Sequence, residues 1–157
     1  MAQNQGKLFE KKFKEDWKKS FPEGTIDRLL DNMSGYLNIS NISDFIGYNY
    51  PYHFYLECKS CLGNTFPFSD LSQYNKLKDK VGIKGVRAGT IIWFREHDEI
   101  LYVPISTITK MKNDGKKSVN ILKSREEGYR IITIPSKRKR VFLDSDYSCL
   151  QDLQEGE

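Results

Sequence analysis

Phe9, Phe13 and Trp17 recur at i, i+4 and i+8, one apolar stripe of an amphipathic helix over residues 4–20 that Pro22 and Gly24 close. Beyond Gly24 the period falls to two. Residues 25–30 read as a first strand, and residues 43–48 and 52–59 as a hairpin turning at Asn49-Tyr50-Pro51. Along Tyr52-His53-Phe54-Tyr55-Leu56-Glu57-Cys58-Lys59, strand geometry sends Tyr52, Phe54, Leu56 and Cys58 into the core and His53, Tyr55, Glu57 and Lys59 to the other face. Ser69 or Asp70 is placed to cap a helix reaching about residue 80, with Leu71, Tyr74 and Leu77 at helical spacing. The β-branched and aromatic run Gly89-Thr90-Ile91-Ile92-Trp93-Phe94 predicts a buried strand. Residues 99–103 predict another, 105–112 a short helix and 129–134 a late strand. The last dozen residues are expected to be frayed or partner-dependent. This order predicts a mixed α/β fold, a central mixed sheet flanked by helices.

A chain of 157 residues suits one domain with a real core, here spanning residues 1–157 with a tail from about residue 145. No apolar run approaches the ~20 residues of a membrane helix, and Met1-Ala2-Gln3-Asn4-Gln5 lacks a secretory core. A cytoplasmic setting without a membrane partner is expected. Cys58 and Cys61 form one C-x-x-C, but Cys149 is distant and His53 and His97 lack zinc-finger spacing, so a buried thiol is the reading. The balance of 25 cations and 21 acids gives +4, unevenly distributed. Lys11, Lys12, Lys14, Lys18 and Lys19 crowd the first helix, and Ser136-Lys137-Arg138-Lys139-Arg140 is a basic run, read as a phosphate-contacting patch or a solvated loop.

The chemistry concentrates in Asp44, Glu57 and Lys59. An E-x-K string is common on solvated strands, where its ion pair is worth little. Here the preceding run is aromatic and mostly apolar, and Asp44 lies thirteen residues before Glu57 (57 − 44 = 13), at hairpin distance. Two carboxylates and one ammonium then meet at one end of the hairpin. Adjacent carboxylates resist joint ionisation without a cation, and hard oxygen ligands suit Mg²⁺ or Mn²⁺. With Lys59 orienting or helping to deprotonate a water, this is equipment for metal-assisted phosphodiester hydrolysis.

Asp44-Phe45-Ile46-Gly47 followed by Phe54-Tyr55-Leu56-Glu57-Cys58-Lys59-Ser60 resembles the core of the RecU-type Holliday junction resolvases, which belong to the restriction-endonuclease-like nucleases. Gly6-Lys7-Leu8-Phe9-Glu10 resembles the family's N-terminal helix start, and Thr65-Phe66-Pro67-Phe68 with Leu71-Ser72-Gln73 resembles the segment after its catalytic strand. The resemblance covers about residues 5–105. It implies a restriction-endonuclease-like core, a homodimer that nicks four-way DNA junctions symmetrically, Mg²⁺ or Mn²⁺ as cofactor, and a recombinase as a further partner. It also implies Asp44 and Glu57 as metal ligands with Glu10 joining them from the first helix, Lys59 and Gln73 as catalytic residues, and Ser43, where the family has a hydroxyl residue, beside the metal's water shell. Charge placement nominates Arg28, Lys11, Lys137, Arg138, Lys139 and Arg140 as DNA contacts. Each has a plainer alternative: Glu10 as a solvated acid among lysines, Gln73 as an ordinary helix position, Ser43 as a turn cap. Residues 24–43 are short where cellular members carry a longer basic stalk, and Arg28 is their only basic residue, which fits a compact phage-type relative. Two other functions remain open at this point: a non-catalytic DNA-binding or recombinase-modulating protein, and a general restriction or nicking nuclease.

Overall fold

The computed structural model describes residues 4–30, 41–154 and 157. Half of the short 24–43 segment, residues 31–40, lies outside them, and with it the question of a stalk. The chain runs α1 (Gln5–Ser20), β1 (Thr25–Arg28), β2 (Phe45–Asn49), β3 (Tyr52–Cys61), β4 (Thr65–Pro67), α2 (Tyr74–Lys78), β5 (Val86–Phe94), β6 (Glu99–Pro104), α3 (Ile105–Asn113), β7 (Ser118–Asn120), α4 (Lys123–Glu126), β8 (Ile132–Ile134), β9 (Ser136–Arg138) and β10 (Leu143–Ser145). Six strands form the central sheet in the order β1-β2-β3-β5-β6-β8. It is mixed, because β3 and β5 are parallel while the other neighbours are antiparallel.

Helix α1 begins at Asn4, whose side chain accepts the Gly6 and Lys7 amides, satisfying two N–H groups that have no partner within the helix. Its stripe covers one face of the sheet. Phe13 meets Phe45 with ring centroids 4.9 Å apart, and Trp17 meets Phe54 edge-on at 5.0 Å. Gly47 permits this approach, since a Cβ there would stand 3.0 Å from the Trp17 ring. The opposite face carries a second core built on Ala88, Ile92, Phe94, Leu101 and Val103 under α2 and α3. Both faces of β3 are therefore covered, with Phe54, Leu56 and Cys58 in the first core and Tyr55 against the second.

Three expectations need correction. The helix expected to reach residue 80 is a 3₁₀ turn over Phe68–Asp70 followed by the five-residue α2. Phe68, Leu71, Tyr74 and Leu77 are all buried, and a spacing of three suits tight turns better than a continuous α-helix. The late strand is only Ile132–Ile134, preceded by α4 and a left-handed Gly128. The final segment is packed in its described part, not frayed. Tyr147 and Leu150 are fully buried in a 3₁₀ turn over Tyr147–Asp152, and Tyr147 meets Phe13 edge-on at 5.0 Å. The Arg87 guanidinium donates to the Leu153 and Gln154 carbonyls at 2.6 and 2.8 Å and stacks on Tyr52.

Candidate active site

Strands β2 and β3 pair with Phe45 opposite Leu56, so continuing the register by one residue sets Asp44 opposite Glu57. On its other side the β1–β2 ladder also continues by one residue, the Leu29 amide donating to the Asp44 carbonyl at 2.8 Å. Asp44 Oδ2 accepts the Cys58 amide at 2.9 Å, which fixes one carboxylate against the strand bearing the other. Glu57 and Lys59 share the face that carries Tyr55, under the second core. Glu57 is 1% exposed and Lys59 half-buried.

Burial first, then the charge of Asp44 and a hydrogen bond between the two acids, push the Glu57 carboxyl up to about 9. Lys59 opposes the shift and Glu10 adds slightly to it. Burial also raises the Cys58 thiol far above its usual range, leaving a neutral core side chain. Cys61, three residues along the strand, accordingly points to the other face and packs on the second core.

Glu57 Oε2 is buried without a hydrogen-bond partner. A carboxylate pair that resists joint ionisation, with one oxygen unsatisfied, fits a hard divalent cation; Mg²⁺ binds through one or two carboxylates plus water and substrate phosphate. Among the described residues no group of three His, Cys, Asp or Glu side chains converges as a ligand set. Glu10 lies on α1, across the sheet from the second core, and its Oε2 accepts from Arg28 Nε at 2.7 Å. The charge of Glu10 also reaches Glu57 and Cys58.

The remaining expected residues fall in separate places. Gln73 stands at the start of α2, above the face that carries Glu57, and its amide oxygen accepts the Ser72 hydroxyl at 2.7 Å. Ser43 is buried and donates to the Phe45 carbonyl at 2.8 Å, the turn-capping role. Lys11 and Arg28 line a cavity of about 340 Å³ with Lys7, Lys14, Glu10 and Phe45. Lys137, Arg138, Lys139 and Arg140 are exposed on the β9–β10 hairpin, where Arg138 pairs with Asp98 and Lys139 with Asp144. One residue went unseen in the sequence. Thr90 of β5 pairs in register with Glu57, is fully buried, and its hydroxyl has no partner. A lone hydroxyl in the run Gly89-Thr90-Ile91-Ile92 was the available signal, but only the β3–β5 pairing gives it a neighbour.

A sequence model of the recombination protein U (RecU) family matches residues 10–141. The chain belongs to that family. Asp44, Glu57, Lys59 and Gln73 all fall inside the matched RecU region, and the fold is the expected mixed sheet flanked by helices. Among solved structures, Hjc of Archaeoglobus fulgidus, a Holliday junction resolvase from an archaeal hyperthermophile, is similar at 16% identity and a TM-score of 0.48, over 65% of this chain and 78% of that one. No curated protein matches the chain at a significant level.

Proposed function

We propose that this chain is an endodeoxyribonuclease that requires Mg²⁺ or Mn²⁺ and resolves four-way DNA junctions by paired symmetric nicks as a homodimer. The supporting observation is Asp44 opposite Glu57 at the end of the β2–β3 ladder, with Lys59 two residues on and an unpaired oxygen on Glu57. RecU membership supports the branched substrate.

When bound, the cation would supply Lewis acidity at the phosphoryl oxygen and acidify a water. Asp44 and Glu57 would hold it through carboxylate oxygens, with the Cys58 amide keeping Asp44 Oδ2 in place. Lys59 Nζ orients the attacking water and assists loss of its proton. Gln73, from the start of α2, positions water or phosphate. The second core under α2 and α3 seals the inner end of Glu57 from solvent. In-line attack leaves 5′-phosphate and 3′-hydroxyl ends. Lys11 and Arg28, with Lys7 and Lys14, offer the α1 cavity to backbone phosphates, and Glu10 holds Arg28 there. Lys137, Arg138, Lys139 and Arg140 supply a second basic surface. A junction has two-fold symmetry, and two active sites related by a dyad match it most simply.

Cleavage of labelled junction, fork, nicked and linear DNA, with sedimentation of the protein, tests the proposal. Symmetric junction nicks by a dimer are expected. A monomer that cuts linear duplex as readily as junctions refutes resolution and leaves a general nuclease.

A further inference from the structure

The register of the central sheet aligns one row of residues across neighbouring strands: Asp44, Glu57, Thr90 and Val103. Neighbouring strands stand about 4.8 Å apart and paired side chains share a face. Thr90 therefore has Glu57 on one side and the apolar Val103 on the other. Above and below it on β5 are Ala88 and Ile92, both in the second core. Glu57 is thus the one polar side chain beside it among its neighbours in the row and on its own strand. A buried hydroxyl without a partner is costly, and so is a buried carboxylate oxygen. Here the two unsatisfied atoms, Thr90 Oγ1 and Glu57 Oε2, occupy adjacent places in one row.

In this structure the two atoms are not bonded to each other; we propose that Thr90 is a positioning residue for the metal site, its hydroxyl turning to donate to the Glu57 carboxylate when the cation is bound and holding that carboxylate on it. The inference rests on the nuclease reading above and names the residue that arranges its second ligand. Ligating carboxylates are commonly held by such outer partners, and losing one costs 10–100-fold in metal affinity.

The test is Mn²⁺ binding to the full chain, followed calorimetrically without DNA, in wild type, Thr90→Val and Thr90→Ser. Valine keeps the shape and removes the hydroxyl, and a melting curve for each variant reports folding. The expected result is Mn²⁺ affinity weakened by about 10-fold or more in Thr90→Val and restored within about 2-fold in Thr90→Ser. Junction binding in EDTA should be equal in all three. Equal Mn²⁺ affinity in wild type and Thr90→Val overturns the role of Thr90 while the nuclease reading stands. Wild type that takes up no Mn²⁺ overturns both. A Thr90→Val variant that does not fold leaves Thr90→Ser and Thr90→Ala to decide by the same comparison: weak binding by Thr90→Ala alone supports the role, and equal binding overturns it.

Discussion

Asp44 Oδ2 takes the amide hydrogen of Cys58 at 2.9 Å, so the first acid of the site is anchored to the backbone beside the second acid, Glu57. The anchor occupies one oxygen of Asp44. It brings two carboxyl groups together before any cation arrives, and the buried member, Glu57, is the one whose ionisation is opposed.

That opposition has a definite sign. Glu57 has an ordinary carboxyl value of 4.5 and is pushed up to about 9 in the fold. Between these values the unfolded chain releases a proton that the folded chain keeps, so metal-free stability falls as pH rises from about 4.5 to about 9. Glu57→Gln removes the loss. In EDTA its melting temperature should match wild type near pH 4.5 and exceed it by roughly 3 °C or more at pH 8. An advantage that shrinks with rising pH would contradict the burial argument.

Substitution of Asp44, Glu57 or Lys59 by Ala should each lower cleavage by at least ~10³-fold, because residues acting as a unit lose nearly everything together. Single-turnover cleavage with gel-shift binding in EDTA checks this. Near wild-type turnover by Lys59→Ala would end the assignment of that residue.

Cleavage should proceed with Mg²⁺ or Mn²⁺ and fail with Ca²⁺, whose looser and larger coordination suits binding better than chemistry. A metal titration after exhaustive chelation measures it. Full activity in EDTA is the contrary outcome.

Junction binding should weaken steeply with salt as lysine and arginine displace counterions. Lys11→Ala and Lys137→Ala should each reduce the slope of log affinity against log salt by about 1. An unchanged slope removes that residue from the DNA surface.

Leu150 is fully buried beneath the C-terminal turn, so Leu150→Ala should cost about 2–5 kcal/mol by denaturant unfolding. A cost near zero would return the tail to the frayed state read from its sequence.

The sequence by itself determined α1, the β2–β3 hairpin and the E-x-K strand. These are local patterns: the helix repeats its apolar residues every four, and the hairpin closes through a short turn. Asp44 and Glu57 could be paired for the same reason, being joined by one turn. Tertiary structure decided what local pattern does not encode. Parallel pairing of β3 with β5 joins segments separated by α2, and it alone places Thr90 beside Glu57. Arg28 of the edge strand donates to Glu10 of the helix, a contact that helix periodicity does not reveal. Tyr147, Leu150 and Leu153 look like stray apolar residues in an acidic tail, yet they complete the core against α1. Burial depends on which distant surfaces remain to be covered, and those surfaces exist only once the sheet has formed.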